Sequence, residues 1–382
     1  MINKKRLIKL TQDLIRIKSE NPGGSEAAAA RFVAEYLKKI GLKPERICFA
    51  NGRDNILVVI KGHPSSKSLL ITPHLDTVPA GLGWSFPPFK AQIQGGRIFG
   101  RGASDCKGNL AVALEVMRSL KEEKFSLPYD LIFLATADEE AGSRFGLIPI
   151  LEQRIVKPSY AVVLDAADFT IVTTQKGMMH FKVKVAGRKA HGAYPHLGIN
   201  AVNGAARLIR ALEGIKFGAS PHKLLGLPTV NVGRIQGGDK VNMVADWCEF
   251  EVDIRFLPGM KARDVLKRVR AVFNQKKVSY KIAVDVIQEP YKIEEGHFLV
   301  RSLTAAAAGC CVETRVAGSH GATVLTFFKR LGVPAVAVGF GVADCMHATN
   351  EYVRINDLFN GALMLEKFIK DFNCLEAGRP RV

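Results

Sequence analysis

The chain has 382 residues, a length that predicts two or three domains and excludes a single small fold. Hydrophobic residues make up 47% and charged residues 24%, as in ordinary globular proteins, which argues against intrinsic disorder. No apolar run reaches the ~18 residues of a membrane helix, and the N-terminus lacks the apolar core of a signal peptide, so we expect a cytoplasmic protein. Seven cysteines without Cys-x-x-Cys spacing argue against disulfides or a thiolate zinc cluster, and we expect buried free thiols.

The formal net charge of +18 raises the question of nucleic-acid binding. The excess of cations lies in residues 1–50 and 177–289. Within residues 261–281 the cations are spread as on a solvated helix face, without interleaved aromatic residues. We therefore predict no nucleic-acid partner. The charge either attracts small anionic substrates or is simply a basic surface.

The first part of the chain predicts an α/β layered domain. Apolar residues at helical spacing predict helices at 7–17, 27–40 and 108–121. Apolar runs predict strands at 55–61, 68–72, 131–137 and 160–164. Because buried strands alternate with helices, we expect a largely parallel sheet.

The pattern changes after residue 176. Strands are predicted at 178–186, 228–235, 247–256 and 278–286, with helices at 201–212 and 261–274. This β-α-β-β-α-β order is typical of a ferredoxin-like sandwich. Helix-strand alternation then resumes. The chain is therefore divided into an α/β domain at 1–176, an inserted α+β domain at 177–289 and the rest of the α/β domain at 290–382.

Candidate metal ligands follow several of these strands, at the end where open α/β sheets place their sites. His74 and Asp76 follow the strand at 68–72, and an imidazole there can bind a metal while the nearby carboxylate fixes its tautomer. Asp105 lies in a glycine-rich loop before a helix, where a carboxylate is more often an ordinary helix cap.

Further acidic groups and a histidine follow other apolar strands. Asp138, Glu139 and Glu140 are consecutive, and such like charges need either solvent or a cation. Asp165 ends the next strand, and His347 follows a later one.

Together the clusters supply two imidazoles and three carboxylates, a set that suits two divalent ions bridged by one carboxylate. Two ions contribute +4, three carboxylates −3 and one hydroxide −1, so the charges balance. Nitrogen and oxygen ligands favour zinc, with cobalt or manganese as alternatives.

These motifs resemble those of the zinc aminoacylase and carboxypeptidase family, which includes acetylornithine deacetylase, succinyl-diaminopimelate desuccinylase, glutamate carboxypeptidase and several dipeptidases. The matching motifs are His74-Leu75-Asp76-Thr77-Val78-Pro79, Gly100-Arg101-Gly102 with Asp105 and Lys107-Gly108, Asp138-Glu139-Glu140, Asp165 twelve residues before Gly177, and His347 with Glu351-Tyr352. The resemblance covers nearly the whole chain and implies a layered zinc-peptidase-like catalytic domain interrupted by a ferredoxin-like lid and dimerisation domain.

The resemblance also implies a ligand set for two zinc ions per subunit. Asp105 would bridge both ions, with His74 and Asp165 completing one coordination shell and Glu140 and His347 the other.

The chemistry implied is the hydrolysis of an amide bond in a short peptide or an N-acyl amino acid. Glu139 resembles the general base of the family, and Asp76 would orient His74. Metal-bound hydroxide would attack the polarised carbonyl through a tetrahedral intermediate. Asp168 stays open as a ligand in place of Asp165.

The inserted domain matches the lid domain through which relatives dimerise, which implies a homodimer. His191 would stabilise the oxyanion, while Asn242 and Arg255 would hold a substrate carboxylate, because a guanidinium can donate two parallel hydrogen bonds. Arg255 could equally form a surface salt bridge.

The specific substrate stays open, because residues 318–324 lack the aspartate and arginine that many relatives carry there. His320, in this loop, contacts either substrate or only the loop. The alternatives are an exopeptidase of undefined specificity and a biosynthetic deacylase such as acetylornithine deacetylase or the desuccinylase. A non-catalytic binding protein on the same scaffold is disfavoured, because the proposed ligands and Glu139 are all present.

Overall fold

The computed structural model describes residues 1–23, 26–63 and 67–372. The helices in these ranges are α1 (Lys4–Arg16), α2 (Ala27–Lys39), α3 (Gly108–Glu122), α4 (Leu147–Glu152), α5 (Ala201–Glu213), α6 (Ala262–Asn274), α7 (Phe298–Gly309), α8 (Leu325–Arg330) and α9 (Ile355–Asp371). The strands are β1 (Glu45–Cys48), β2 (Asp54–Ile60), β3 (Ser68–Thr72), β4 (Gln92–Gln94), β5 (Arg97–Phe99), β6 (Asp130–Ala135), β7 (Tyr160–Val163), β8 (Thr170–Gln175), β9 (Gly177–Ala186), β10 (Thr229–Gly237), β11 (Trp247–Phe256), β12 (Tyr280–Gln288), β13 (Tyr291–Lys292), β14 (Arg315–Ser319), β15 (Ala335–Ala337) and β16 (Tyr352–Arg354).

The chain divides into two compact units. The first unit consists of residues 1–173, 293–317 and the chain from 327 onward, and the second consists of residues 174–292 and 318–326. The segment 318–326, which contains the atypical loop, therefore groups with the second unit.

The largest sheet has the strand order β1-β2-β6-β3-β7-β15-β8-β13, and β14 also pairs with β8. The neighbours β6, β3, β7 and β15 run parallel. The pairs β1–β2, β2–β6, β15–β8 and β13–β8 are antiparallel, so the expectation of a largely parallel sheet holds only for its centre. At one edge the reason is local: only five residues connect β1 to β2, and such a short connection joins antiparallel strands.

Helix α3 is the most deeply buried helix of the first unit. Every residue from 108 to 117 is buried. A helix that is buried on all sides requires neighbours on all sides, and α1, α2 and α9 pack against it. The N-terminus of this buried helix carries the loop that contains Asp105, so the loop has a rigid base.

The second unit contains a four-stranded antiparallel sheet in the order β10-β11-β9-β12, with α5 and α6 on the chain between its strands. This is the ferredoxin-like β-α-β-β-α-β arrangement that the sequence predicts. Alternate residues of β9 and β11 are buried, and their core side chains include Phe181, Phe250 and Phe256, with Phe273 from α6.

All six cysteines in the described part of the chain are free. Cys106, Cys248 and Cys345 are buried, but Cys48 and Cys311 are exposed, so the expectation of buried thiols is wrong for those two. Cys374 lies outside the described residues. Within the described ranges, none of the helices combines the length and apolar character needed to cross a bilayer.

Candidate metal centre

Four neighbouring parallel strands deliver the predicted site residues to one edge of the sheet. His74 follows β3, Glu139 and Glu140 follow β6, and Asp165 follows β7. His347 comes after β15, beyond a short helical turn at Ala343–Cys345. Because the carboxyl ends of parallel neighbours share an edge, residues far apart in the chain meet there.

Asp105 lies between the two histidines. It belongs to an irregular turn, Ala103–Lys107, whose last residue adjoins α3. Its Oδ1 lies 2.9 Å from Nε2 of His74, and its Oδ2 lies 3.0 Å from Nε2 of His347. One carboxylate therefore faces both imidazoles, each with a different oxygen, which is the disposition of a bridging ligand.

The remaining acidic groups lie on opposite sides of Asp105. Glu140 Oε1 lies 3.3 Å from Nε2 of His347, and Asp165 Oδ1 lies 3.8 Å from Nε2 of His74. Candidate ligand atoms within 4.8 Å of one another form the groups Asp105–Glu140–His347 and His74–Glu139–Asp165. Each group could hold one ion. Glu139, predicted as a base, therefore also lies within reach of an ion.

Asp76 connects His74 to the two glutamates. The Nδ1 of His74 donates to the backbone carbonyl of Asp76 at 3.0 Å and lies 3.5 Å from its carboxylate. A carbonyl only accepts, so this bond places a proton on Nδ1 and directs Nε2 into the cluster. The Asp76 carboxylate also accepts the backbone N–H groups of Glu139 and Glu140, both at 3.1 Å.

Asn21 extends this network and was not anticipated from the sequence. Its Nδ2 donates to Asp76 at 2.9 Å and to Asp138 at 3.1 Å. Asp138, which has a left-handed backbone (φ 64°), also lies 3.3 Å from Arg53. Its carboxylate accepts the N–H of Phe145 at 3.1 Å and faces Arg53 and Asn21.

The histidines and the acids shift one another's protonation. The Asp105 carboxylate, which accepts from Nε2, and the nearby Glu140 carboxylate raise the pKa of His347 to about 10. Burial opposes protonation of His74, but Cys106 and the surrounding carboxylates raise its pKa well above the ordinary value. Burial would raise the pKa of Asp105, yet its bonds to both imidazoles lower it.

The other acids of the cluster shift in the opposite direction. Burial, followed by the charge of Asp165, raises the pKa of Glu139 well above its usual range. Burial also raises the pKa values of Glu140 and Asp165. The raised pKa values of these acids and of the two imidazoles lead to the same conclusion, that this concentration of carboxylates requires positive charge among them.

The residues present fit a divalent metal. Glu140 Oε1 is buried and accepts no hydrogen bond from any described residue, which leaves its lone pairs free for an ion. Imidazole nitrogens and carboxylate oxygens are the donors that zinc takes at catalytic sites. These observations support a cation site at the edge of the sheet.

Three neighbouring groups have other partners, although the Sγ of Cys106 lies within 4.8 Å of candidate ligand atoms of His74 and Asp105. The carboxylate of Asp168 accepts the N–H of Ala343 at 3.1 Å and lies 3.6 Å from Arg354, so Asp165 is the acid beside His74. Cys106 hydrogen-bonds the backbone of His74, and burial raises its thiol pKa to about 12. Cys345 hydrogen-bonds backbone carbonyls and is a packing residue.

The three residues predicted to bind substrate all belong to the second unit. The structure brings the backbones of His191 and Asn242 together. His191 forms an isolated β-bridge with Met243, and the N–H of Gly192 donates to the carbonyl of Asn242. Both side chains are exposed. Arg255 instead makes a forked ion pair with Asp253, at 2.8 and 3.0 Å, so the salt bridge considered from the sequence is present.

The atypical loop is tied to Gln175. The Oε1 of Gln175 accepts the N–H and the hydroxyl of Thr323, and the carbonyl of Ser319 accepts the N–H of Lys176. His320 is exposed at the tip of this loop.

Comparison with known proteins gives consistent matches. The sequence profile described as peptidase family M20/M25/M40 matches residues 70–371. The acetylornithine deacetylase of Vibrio atlanticus is 26% identical over 351 residues, which is 89% of this chain and 90% of that protein.

Two solved structures show the same fold. Aminopeptidase PepT of Bacillus cereus superposes with a TM-score of 0.83 at 22% identity, covering 97% of this chain and 98% of PepT. The YXEP protein of Bacillus subtilis, described as a dinuclear metal binding peptidase, superposes with a TM-score of 0.74 at 16% identity, covering 96% and 97% of the two chains.

Proposed function

The chain belongs to peptidase family M20/M25/M40, and on that premise we propose that it hydrolyses the amide bond of a short peptide or N-acyl amino acid at a two-metal centre. The observation that carries the proposal is the position of Asp105, whose two carboxylate oxygens face His74 and His347 at 2.9 and 3.0 Å. A carboxylate so placed can bind two ions at once, and hydrolytic sites with two ions hold them roughly 3.5–4 Å apart.

We assign the ligands as the sequence predicts. Asp105 is shared, His74 and Asp165 belong to one ion, and Glu140 and His347 belong to the other. Zinc suits these donors best, with cobalt or manganese as alternatives. When bound, the ions polarise the scissile carbonyl and acidify water.

Glu139 is the general base in this proposal. Its carboxylate approaches His74 and Asp165 within 4.8 Å, and its backbone N–H is held by Asp76. From there it can take a proton from the attacking water and return it to the leaving nitrogen, a task worth roughly 10²–10⁴ in rate. The same position would allow Glu139 to bind a metal ion instead. The two roles differ in their effect on metal content, because loss of a ligand lowers it and loss of a base does not.

The second unit supplies the substrate contacts and the dimer interface in this proposal. His191 stabilises the oxyanion, while Asn242 and Arg255 hold a carboxylate of the substrate. Strand β10 ends the four-stranded sheet, and an edge strand presents N–H and C=O groups to a partner. Ile235 on β10 is 51% exposed, which supports pairing with a second copy of the chain.

A deacetylase of acetylornithine is the second candidate, and one observation favours it: the relative from Vibrio atlanticus aligns over nine-tenths of its length. The atypical loop at 318–324 argues against transferring that substrate directly. Purified protein loaded with zinc should therefore be assayed on acetylornithine, succinyl-diaminopimelate and a panel of dipeptides and tripeptides. Turnover confined to peptides excludes the deacylase, and turnover confined to acetylornithine establishes it.

The decisive variant is Glu139→Gln, with the neighbouring Glu140→Gln as the matched control. We expect Glu139→Gln to lower kcat by about 10²–10⁴-fold with two ions still bound per chain. We expect Glu140→Gln to lower metal content as well as activity. Metal analysis after dialysis distinguishes the outcomes: metal loss in Glu139→Gln would make Glu139 a ligand, and full activity would remove it from the mechanism.

A further inference from the structure

A buried ion pair, Arg101 with Glu351, lies beside the cluster and has no role in the proposed chemistry. The Nη1 of Arg101 donates to Oε2 of Glu351 at 2.6 Å, although the two residues are 250 positions apart. Both side chains are almost completely buried, at 2% and 1% exposed. The Nε–H of Arg101 has no hydrogen-bond partner in the described chain. A buried pair with one donor unsatisfied is a costly way to stabilise a fold, which points to a role in positioning.

Glu351 holds the loop that carries Asp105. Its carboxylate accepts the backbone N–H groups of Gly102, Ser104 and Asp105 at 3.0, 2.8 and 3.0 Å. With Arg101, four donors converge on one carboxylate, so the backbone that leads into Asp105 is fixed.

Arg101 reaches the segment that carries His347. Its Nη2 donates to the backbone carbonyl of His347 at 3.2 Å and to that of Ala80 at 3.3 Å. His347 has a left-handed backbone (φ 61°), which residues other than glycine and asparagine rarely adopt, so this carbonyl needs an external partner to stay in place. One guanidinium therefore contacts both the Asp105 loop, through Glu351, and the His347 loop.

The opposite side of the cluster is held by different groups. His74 follows β3 and bonds to Asp76, which Asn21 supports in turn. None of the side-chain hydrogen bonds found for Arg101 or Glu351 reaches His74, Asp76 or Asp165. Apart from the shared Asp105, the proposed ligand that the pair contacts is therefore His347, on one side of the cluster.

We propose that the Arg101–Glu351 ion pair is a positioning pair that sets the distance between Asp105 and His347 and thereby the affinity for the metal ion on the Glu140–His347 side. The proposal rests on the proposed two-metal function. It predicts that loosening the pair weakens one ion selectively, which a role in general stability would not do.

Arg101→Lys tests this, because lysine keeps the positive charge but loses the planar fork that reaches Glu351 and His347 together. The matched control is Arg6→Lys, since Arg6 pairs with the buried Glu115 at 2.7 Å between α1 and α3. Calorimetric titration of metal-free protein with Zn²⁺ should give two binding events. We expect Arg101→Lys to weaken one event at least tenfold and to change the other less than twofold, and Arg6→Lys to leave both unchanged.

Variants that lack one of the two histidines show which of the two ions Arg101→Lys affects. In His347→Ala, which removes the ion on that side, adding Arg101→Lys should change Zn²⁺ affinity less than twofold. In His74→Ala the tenfold loss should persist. Equal weakening of both ions, or no change in either, overturns the inference. Wild-type protein that binds fewer than two ions would instead refute the two-metal function.

A second variant, Glu351→Gln, keeps the shape of the side chain and removes its charge. It should produce the same selective loss, and if it does not fold, Arg101→Lys still decides the question.

Discussion

The two halves of the candidate metal centre are built differently. His74 follows a strand of the central sheet and its side chain is 2% exposed, whereas His347 lies in a loop and its side chain is 51% exposed. The first is oriented by Asp76 beside it in sequence. The second depends on Arg101, which lies 246 residues away. One half is therefore fixed by the sheet itself, while the other must be held by long-range contacts.

This comparison predicts unequal costs for removing the two imidazoles from metal-free protein. His74→Ala leaves the buried Asp165 without its cationic partner and Asp105 with only His347, which costs about 3 kcal/mol or more. His347→Ala removes a half-exposed partner and should cost at most about 1 kcal/mol. Both variants should lose catalysis. Calorimetric unfolding of chelator-treated protein measures the stabilities, and equal losses for the two would contradict the comparison.

A smaller effect is expected from Asp76→Asn. An amide can accept with its oxygen but presents N–H donors to the backbone N–H of Glu139 or Glu140, so one of these bonds is lost. Groups that orient metal ligands typically contribute 10–100-fold to metal affinity, and we expect a loss of that size in Zn²⁺ titration.

The control for Asp76→Asn is Asp54→Asn. Asp54 is another buried carboxylate, 5% exposed, and it pairs with Arg46 at 3.2 Å on β2. Its variant should bind Zn²⁺ like wild type. A tenfold loss in both variants would indicate general destabilisation and would remove the specific role of Asp76.

The smallest effect concerns the loop of His347. Asn350 has a left-handed backbone (φ 59°), and its Oδ1 accepts the N–H of Ser85 at 2.8 Å. Asn350→Ala should lower the free energy of unfolding by about 1–2 kcal/mol, because alanine disfavours this backbone and loses the bond. Asn350→Gly, which tolerates the backbone, should recover part of the loss. If the glycine variant is the less stable one, the loop does not depend on this conformation.

Much of the fold was accessible from the sequence because its elements are locally encoded. The predicted strands at 68–72 and 247–256 have the observed bounds of β3 and β11. Strand β8 (Thr170–Gln175) was missed, although its β-branched residues favour a strand and every residue in it is buried. The antiparallel edges of the sheet were also missed, since apolar runs carry no information about strand direction.

The sequence predicts those parts of the candidate site in which the proposed ligands directly follow strands. His74, Glu139 and Asp165 come from this rule, and the structure brings them together. Arg101 and Glu351 belong to the family motifs, but the sequence does not predict their pairing, because the contact joins residues 250 apart and leaves no local pattern. Asn21, within a Pro-Gly loop, gave no signal except its polarity. The domain boundaries, the dimer and the cytoplasmic location stay predictions.

Anomalous diffraction from crystals soaked in zinc would reveal whether Asp105 bridges two metal ions. We expect two peaks roughly 3.5–4 Å apart, one on the His74 side and one on the His347 side of the Asp105 carboxylate. A single peak, or two peaks of which either lacks contact with Asp105, would contradict it.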